Sequence, residues 1–334
     1  MKDFSGKTAF ITGGASGAGL GQAKVFAKAG MKVVITDVRM DALHNAVSEI
    51  IKYAGCDAAD VLPLCFDLTD RKAYTQAADT VEKIFGGPPH LLIQTAGVNS
   101  FGPIEASTFD DFDWVMSVCL DHVVNGLIIF VPRMIRAYSG KEEFHVAATS
   151  SYGAFMAGTI TGPYSAAKAA VNNLMYSYAE ALPAYGGGAT VLCPANINSN
   201  IGNAEKYRPE NLRNTGYHVT EGTMAHLRSI HANGIDPIEL AEILKEGIET
   251  GRIIVLPNRD PNVSIDMVHG NHEIIENYMR TVEERRKIAE EMMAKRKFPD
   301  APPPGFSLPE GAEAFGSARN DLDYVVTSRK PKSK

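Results

Sequence analysis

A glycine-rich turn between a buried strand and a helix is the feature that most limits how this chain can fold. Residues 8–12 form an apolar run typical of a buried strand, and the sequence TGGASGAG leads from it into a helical pattern. Gly13, Gly17 and Gly19 leave the backbone of the turn uncovered, so its amide groups can approach a pyrophosphate at the positive end of the helix. The turn therefore favours an α/β fold that binds a dinucleotide.

The same alternation of strand and helix continues to about residue 260. Further strand patterns lie at 32–36, 61–66, 90–94, 144–148, 189–193 and 252–256. Helix patterns separate them at 40–53, 70–85, 110–138, 163–182 and 237–249. We predict that Pro132 breaks the longest helix. Strands joined through helices run parallel with right-handed crossovers, so the pattern predicts a doubly wound parallel sheet.

Composition and charge exclude several classes of protein. The chain has 334 residues, 45% of them hydrophobic, and its formal net charge of -6 argues against a nucleic-acid surface. The four cysteines show no C-x-x-C spacing, which is typical of buried thiols in a reducing compartment. The amino terminus enters a strand pattern at once, and the apolar run at 127–131 is too short to cross a bilayer. We expect a cytoplasmic protein without nucleic-acid or membrane partners.

The end of the second strand indicates which dinucleotide fits. Asp37 stands where a carboxylate meets the adenosine ribose, accepting a hydrogen bond from the 2′-hydroxyl and repelling a 2′-phosphate. Ser16 occupies the position before Gly17, where a basic residue would read a phosphate. Arg39 is the one nearby cation, and we interpret it as solvated. These residues predict NAD as the cofactor, not NADP.

Other strand ends supply further contact positions for the cofactor. Asp67 and Leu68 follow the third strand, where Asp67 either meets the adenine edge or simply caps the next helix. Ala96 and Gly97 follow the fourth strand and let the cofactor lie close to the backbone. The sequence PANINSN follows a later strand and offers a backbone amide and a hydroxyl to the nicotinamide carboxamide. Its candidate contacts are Pro194, Ile197 and Ser199.

Tyr164 and Lys168 are the candidate catalytic pair. They lie four residues apart in a helical pattern and so share one face of the helix, while Ser151 precedes Tyr164 by thirteen residues. Free tyrosine titrates near pH ~10, and an adjacent ammonium lowers that pKa towards the range of a useful general base. A serine hydroxyl can hydrogen-bond the same substrate oxygen. Ser150 is the alternative, although the spacing to Tyr164 favours Ser151.

Residues 200–235 form a polar, irregular insertion by their sequence, and loops of this length are uncommon without a function. We interpret the insertion as a lid over the substrate that carries Tyr207 and Tyr217. A disordered surface loop is the alternative. His122 is interpreted as a core or interface histidine, not as a catalyst.

Residues 261–334 form a carboxyl-terminal extension beyond the alternating pattern. Apolar positions amid dense charge predict an amphipathic helix at 272–297, packed on its own domain or on a partner subunit. A Pro-rich, basic arm follows at 298–334. His269 and His272 have metal-ligand spacing, but no second cluster supports them, so we expect no metal.

The order and spacing of these motifs resemble the short-chain dehydrogenase/reductase family over about residues 5–260. The resemblance is carried by TGGASGAG, Asp37, Asp67, QTAG, Ser151, Tyr164-x-x-x-Lys168 and PANINS. It implies a seven-stranded parallel sheet flanked by helices, and a homodimer or homotetramer formed through the helices at 110–138 and 163–182. It also implies that Tyr164 is the acid/base, that Lys168 lowers its pKa and holds the nicotinamide ribose, and that Ser151 orients the substrate oxygen.

Three sites depart from the family pattern. Cys119 stands where the family has an asparagine that holds a water in the proton relay, and a thiol cannot hold backbone and water as an amide does. Asn125, six positions later, is expected to face elsewhere. Gln94-Thr95 and Ala195 replace an Asn-Asn pair and a glycine, where the expected contacts include backbone groups.

A narrower resemblance links the chain to the bacterial NAD-dependent Cα-dehydrogenases of lignin β-aryl ethers. The stretches that carry it include GGASGAGLGQAKVFAKAG, TAGVNSFGPIE, GPYSAAKAA and PANINSNI. It implies oxidation of the benzylic secondary alcohol of guaiacylglycerol-β-guaiacyl ether type dimers to a ketone. Candidate substrate contacts, mostly aromatic as an aryl substrate requires, are Phe101, Tyr152, Asn196, Tyr207 and Tyr217. The alternatives are another bulky secondary alcohol or ketone (steroid, acyl or other aromatic) and a non-catalytic NAD-sensing protein.

Overall fold

A computed structural model describes residues 1–155, 158–213, 215–257 and 287. The strands are β1 (Thr8–Thr12), β2 (Lys32–Asp37), β3 (Val61–Cys65), β4 (Leu91–Gln94), β5 (Phe144–Thr149), β6 (Gly187–Leu192) and β7 (Ile254–Val255). The helices are α1 (Gly17–Lys28), α2 (Met40–Ala54), α3 (Arg71–Phe85), α4 (Phe109–Met116), α5 (His122–Tyr138), α6 (Gly162–Ala181), α7 (Glu221–Ala232) and α8 (Pro237–Glu249). Short 3₁₀ helices lie at Ala58–Asp60, Ile104–Ala106, Tyr152–Ala154, Leu182–Tyr185, Asn200–Tyr207 and Glu210–Leu212.

The seven strands are all parallel and lie in the order β3-β2-β1-β4-β5-β6-β7. Alternate residues of the strands point to opposite faces, and both faces are covered by helices. Phe10 of β1 packs in a core with residues of α3, α5 and α6, whereas its neighbour Ile11 packs with residues of α1, α2 and α8. The predicted doubly wound, seven-stranded parallel sheet is confirmed.

The direction of winding reverses between β1 and β4. From β1 the chain runs outward to β2 and β3, then returns to place β4 on the other side of β1, with Thr12 paired to Gln94. Such a switch point leaves a crevice at the carboxyl ends of the two strands, where doubly wound proteins bind ligands. The Thr12 hydroxyl accepts hydrogen bonds from the backbone N–H groups of Thr95 (2.8 Å) and Ala96 (3.2 Å), which fixes the chain at this edge.

The long helical pattern is interrupted, but not where the sequence predicted. Pro132 lies inside α5, which continues to Tyr138. The interruption is a π-helical turn at Ser117–Asp121, between α4 and α5. Proline removes the hydrogen bond to the carbonyl four residues earlier, and Ile128 at that position is 59% exposed, so water can replace the lost donor.

The helical stretch Phe109–Tyr138 is long and apolar enough to cross a membrane by length and composition alone, contrary to the expectation from its apolar run. In the structure 56% of its most apolar window is buried inside the protein. Its apolar residues are therefore explained by packing on the sheet.

The insertion at 200–235 is more regular than predicted. It contains the 3₁₀ helices Asn200–Tyr207 and Glu210–Leu212 and the helix α7, in which the Thr220 hydroxyl caps the N–H of Thr223. Only Met224 and Leu227 of α7 are buried, so its apolar pattern is too sparse to recognise in the sequence. The predicted helix at 272–297, the arm at 298–334 and the histidines at 269 and 272 lie outside the described residues.

Candidate active site

A cavity of about 560 Å³ lies at the carboxyl ends of the strands, at the switch point between β1 and β4. Its wall is built by the turn after β1, the ends of β2 to β6 and the first part of the insertion. Every cofactor, catalytic and substrate residue predicted from the sequence lines this cavity, except Tyr217. The fold thus brings together residues that are up to 194 positions apart in the chain, from Gly13 to Tyr207.

The glycine-rich turn has the shape that a pyrophosphate requires. Gly13 and Gly17 adopt positive φ angles of 65° and 52°, and a Cβ atom at Gly13 would lie 2.9 Å from the Cα atom of Ala96. A Cβ atom at Gly19 would collide with the carbonyl oxygen of Gly13. Ser16, at the N-cap of α1, makes no side-chain hydrogen bond to the helix, so the first amides of α1 keep their donors for a ligand. These residues fit a dinucleotide.

Asp37, which is predicted to meet the adenosine ribose, does not stand alone at its side of the cavity, which is named the adenosine end after that prediction. Its carboxylate accepts two hydrogen bonds from the Arg39 guanidinium, Nε to Oδ1 at 2.8 Å and Nη2 to Oδ2 at 2.9 Å. The same guanidinium donates to Ser16 Oγ at 3.1 Å and lies 5.0 Å from the centre of the Tyr207 ring. The prediction that Arg39 is solvated is therefore wrong, because its neighbours hold it across the mouth of the cavity.

Asp67 and Leu68 line the cavity beside the adenosine end. Asp67 Oδ1 accepts hydrogen bonds from the N–H and the hydroxyl of Thr69, both at 2.8 Å. Asp70, and not Asp67, is the N-cap of α3. The carbonyl oxygen of Leu68 accepts from the Asn125 amide at 3.3 Å, so Asn125 faces this region, as expected, and not the catalytic pair.

The three candidate catalytic side chains meet at the centre of the cavity. Tyr164 lies in the first turn of α6, Lys168 follows one turn later, and Ser151 begins the 3₁₀ helix after β5. Lys168 is 3% exposed and donates from Nζ to the carbonyl oxygen of Thr149 at 2.8 Å. Ser151 Oγ accepts from the N–H of Gly153 at 3.0 Å. The alternative serine, Ser150, donates instead to the carbonyl oxygen of Lys168 at 3.1 Å, which holds α6 against β5.

Burial dominates the protonation of this pair. Burial raises the pKa of Tyr164 above its ordinary value, while a hydrogen bond with Ser151 lowers it. Burial also lowers the pKa of Lys168. The ammonium of Lys168 is hydrogen-bonded to Thr149 and lies 5.5 Å from the centre of the phenol ring, and its lowering of the pKa of Tyr164 stays a prediction.

Cys119 lies in the π-helical turn and contacts the loop after β4. Its thiol donates to the carbonyl oxygen of Val98 at 3.0 Å and accepts from the N–H of the same residue at 3.4 Å. Burial raises the pKa of this thiol, so it keeps the proton that it donates. The thiol therefore does hold the backbone here, whereas the expectation that it cannot also hold the water of the proton relay stays a prediction. His122 follows the turn, is fully buried, and approaches Thr12 Oγ1 at 3.4 Å outside the cavity lining, as a core histidine would.

The segment after β6 closes the side of the cavity where the sequence predicts the nicotinamide. The carbonyl oxygen of Pro194 accepts from the N–H of Tyr152 at 2.9 Å, which ties this segment to the catalytic loop. Ile197 forms an isolated bridge with Ile235, and Ser199 reaches the glycine-rich turn, where a Cβ atom on Gly17 would lie 2.9 Å from the Ser199 Cβ.

The predicted substrate residues divide into two groups. Phe101, Tyr152, Asn196 and Tyr207 line the cavity. Tyr217 is 6% exposed and packs its ring against Gly102, where any side chain would collide with it. It therefore supports the wall from behind.

The sequence analysis missed several residues of the wall and its support. Trp114 lines the cavity and packs in one cluster with Ala204, Leu212 and Tyr164. Asp111 and Arg208, both fully buried, form an ion pair behind it at 3.0 Å. No sequence motif marks these residues. Asp111 and Arg208 lie in otherwise polar segments of the sequence, and only the burial of both side chains in the structure sets this charged pair apart. Among the described residues no cluster of histidine, cysteine or acidic side chains is suited to bind a metal ion.

Comparisons with known proteins show the family to which the chain belongs. Residues 7–209, more than half of the chain, match the family model described as short chain dehydrogenase. A C alpha-dehydrogenase from Sphingobium sp. SYK-6 is 51% identical over 257 residues, which cover 77% of this chain and 82% of that protein. The crystal structure of apo LigD from the same strain has a TM-score of 0.65 and 40% identity, covering 83% of this chain and 98% of that one.

A short chain dehydrogenase/reductase from Burkholderia phymatum, solved in complex with NAD, is 29% identical with a TM-score of 0.71 and covers 92% of this chain and 100% of that one. The assignment of the family rests on the matched family model and on the identity of 51% to a named dehydrogenase. The glycine turn with Ser151, Tyr164 and Lys168 is in keeping with it. This chain belongs to the short-chain dehydrogenase/reductase family of oxidoreductases.

Proposed function

We propose that the protein oxidises the benzylic Cα secondary alcohol of lignin-derived β-aryl ethers to the Cα ketone, with NAD as the cofactor. The observation that carries the proposal is the environment of Tyr164: its phenol is hydrogen-bonded with Ser151, and it lines the same cavity as Trp114 and Phe101. The identity of 51% to the Sphingobium C alpha-dehydrogenase supports the same reaction.

The residues of the chain divide the work of binding. The amides at the start of α1 hold the pyrophosphate, and Asp37 accepts from the adenosine ribose. Lys168 holds the nicotinamide ribose. Pro194, Ile197 and Ser199 contact the carboxamide. When bound, an oxidised nicotinamide ring supplies the carbon that accepts the hydride and a positive charge that favours the Tyr164 phenolate.

The protein itself then contributes a proton transfer and the orientation of the substrate. Tyr164, as the phenolate, takes the proton of the Cα hydroxyl while Ser151 donates a hydrogen bond to the same oxygen. The aromatic side chains of the wall exclude water and fix the aryl ring, which holds the Cα–H bond in a reactive orientation. Each of these groups lines the same cavity, so no domain movement is needed to bring them together.

NAD is proposed over NADP on the position of Asp37, but Arg39 weakens the discrimination. The guanidinium neutralises the carboxylate that would repel a 2′-phosphate, and it lies next to Ser16, where a phosphate reader would stand. We expect a preference for NAD that is measurable and moderate.

The test is absorbance at 340 nm with a guaiacylglycerol-β-guaiacyl ether and NAD⁺, then with NADP⁺. Formation of NADH together with the Cα ketone supports the proposal, and faster formation of NADPH contradicts the cofactor assignment. Measurable NADH binding without turnover of the β-aryl ether contradicts the proposed substrate. Turnover of a steroid or an acyl substrate instead would favour the alternative, a dehydrogenase of another bulky secondary alcohol or ketone. A non-catalytic sensor would turn over none of them.

We also propose a homodimer or homotetramer formed through the helices at 110–138 and 163–182. Phe109 at the start of α4 is 88% exposed and Ile128 on α5 is 59% exposed. Large exposed apolar side chains are typical of an interface between subunits. Light scattering coupled to size exclusion tests the assembly, and a monomer at micromolar concentration contradicts it.

A further inference from the structure

Arg208 is the most deeply buried cation in the described part of the insertion, with an exposed fraction of 1%. The residue before it, Tyr207, ends the 3₁₀ helix Asn200–Tyr207 and is 45% exposed, so the exposure changes sharply from one residue to the next. A guanidinium buried to this degree needs compensating partners, because transfer of an unpaired charge from water is strongly unfavourable.

The partners of Arg208 come from three separate segments. Nη2 donates to Asp111 Oδ1 of α4 at 3.0 Å, and Nη1 donates to Ser100 Oγ, in the loop after β4, at 3.2 Å. Nη1 also donates to Glu205 Oε1 within the insertion at 3.3 Å. The guanidinium carbon lies 5.1 Å from the centre of the Trp114 ring, a cation–π contact. One side chain therefore joins the insertion to the two segments that it faces.

Asp111 reinforces the same junction. Its Oδ1 also accepts from the N–H of Tyr217 at 3.0 Å, and its Oδ2 accepts from the N–H and hydroxyl of Thr108 at the start of α4. Gly216 approaches this carboxylate so closely that any Cβ atom would collide with it. The insertion is thus attached to Asp111 at Arg208 and again at residues 216–217.

The Arg208–Asp111 ion pair does not line the cavity, but residues next to it do. Arg208, Asp111 and Glu205 are absent from the cavity lining, whereas Trp114 and the residues adjacent in sequence to Ser100, Glu205 and Arg208 belong to it. The adjacent residues that line it are Asn99, Phe101, Ala204, Tyr207 and Pro209. The cluster therefore sets the position of the wall without touching the substrate.

We propose that Arg208 is a positioning residue that fixes the substrate wall of the cavity through Asp111 and Trp114. This proposal rests on the proposed function only in the nature of the substrate. Loss of the guanidinium leaves Asp111 buried without its cation and releases the insertion from α4. The aromatic wall then loses its fixed position, while the glycine turn and α1, which hold the cofactor, keep theirs.

The experiment compares Arg208→Met and Arg208→Lys with Arg213→Met. Arg213 lies in the same insertion, is half exposed and pairs with Glu210, so its variant is the matched control. Three readouts are needed: KM and kcat for the β-aryl ether alcohol, the Kd of NADH, and hydrogen exchange of the Tyr217 amide, whose acceptor is Asp111.

For Arg208→Met we expect a rise in KM and in Tyr217 amide exchange of about tenfold or more, as loss of a charge-assisted hydrogen bond produces. The Kd of NADH should change by less than about twofold, because the cofactor contacts lie elsewhere. Arg208→Lys keeps the charge but not the planar donor pair, and should give intermediate values. Arg213→Met should match the parent protein in all three readouts.

Unchanged KM and unchanged Tyr217 exchange in a folded Arg208→Met variant would overturn the proposal. An equal loss of substrate and NADH binding would do so as well, because it would indicate general damage. If Arg208→Met does not fold, Arg208→Lys decides by the same criteria. If the parent protein does not oxidise the β-aryl ether, the proposed function fails, while Tyr217 exchange and NADH affinity still decide the role of Arg208.

Discussion

The ammonium of Lys168 donates to the carbonyl oxygen of Thr149 over 2.8 Å, in the interior beside the phenol of Tyr164. The end of β5 thereby fixes the lysine, and Ser150 fixes the helix that carries it by donating to the carbonyl oxygen of Lys168. The two members of the Y-x-x-x-K motif are thus held separately, the lysine by the strand and the tyrosine by the hydrogen bond with Ser151.

Tyr164→Phe should lower kcat by about a thousandfold or more, since it removes the group that takes the proton. The Kd of NADH should stay within about twofold of the parent value, because a missing hydroxyl leaves the glycine turn unchanged. Initial rates at 340 nm and NADH fluorescence titration measure the two quantities. Tyr178→Phe on the same helix is the control, and a similar loss of kcat there would contradict the assignment of Tyr164.

Asp37→Ala should shift the preference from NAD towards NADP by about a hundredfold. The substitution removes the carboxylate that repels a 2′-phosphate and frees the Arg39 guanidinium, already next to Ser16, to pair with that phosphate. The ratio of Kd values for NADH and NADPH is the measurement. Arg39→Ala is the opposite change, because it leaves Asp37 without its cation and should strengthen the discrimination against NADP. An unchanged ratio in both variants would contradict the pairing of these residues in cofactor choice.

Cys119→Ala should lower the free energy of unfolding by about 1–3 kcal/mol, since it leaves the N–H and carbonyl of Val98 without their partner. Cys119→Ser keeps a donor and an acceptor at that position and should be less destabilised. Urea unfolding followed by fluorescence gives both values. Cys65→Ala, at an exposed thiol, is the control and should change stability by less than about 0.5 kcal/mol. Equal stability of the alanine and serine variants at 119 would count against the hydrogen bonds.

Stability should fall as the pH drops below 6.5. Burial lowers the pKa of both His122 and His145 to about 3, from an unfolded value near 6.5. The unfolded chain therefore binds more protons than the folded one between these values, so stability is fully present above pH 6.5 and is lost as the pH falls towards 3.

Each of these histidines should contribute a slope of about 1.4 kcal/mol per pH unit in that range. Urea unfolding at pH 7.0, 6.0 and 5.0 measures the slope. His145→Asn should reduce it, whereas His44→Asn, at an exposed position, should leave it unchanged. Equal slopes in the parent protein and the His145→Asn variant would contradict the assignment of a buried neutral histidine.

The sheet could be predicted from the sequence because the apolar residues within each strand are themselves enough to indicate that the strand is buried. The runs at β1, β2 and β5 are continuous apolar segments, and the turn after β1 requires glycine at positions that tolerate no Cβ. The candidate catalytic residues could also be proposed from the sequence, since a motif of fixed spacing on a helix determines its own geometry. Their grouping in one cavity follows from the parallel arrangement of the strands.

The contacts around these motifs could not be predicted from the sequence in the same way. That Arg39 pairs with Asp37, and that Cys119 bonds both backbone groups of Val98, depends on side-chain rotamers and on a π-helical turn that has no sequence signature. The pKa of Tyr164 depends on how deeply the whole fold buries it. The role of Arg208 emerges only when Ser100, Asp111 and Trp114, from distant parts of the chain, are seen around it.

Tyr207 and Arg208 are neighbours in the chain, yet the first stacks on Arg39 at the adenosine end and the second pairs with Asp111 behind the substrate wall. A single peptide unit therefore spans the two ends of the cavity. A substitution that moves this unit to admit a larger alcohol also moves the ring that covers Arg39. Selection for a new substrate would thus change the affinity for NADPH, whose 2′-phosphate Arg39 would meet, while the affinity for NADH stays, and the two traits would be inherited together.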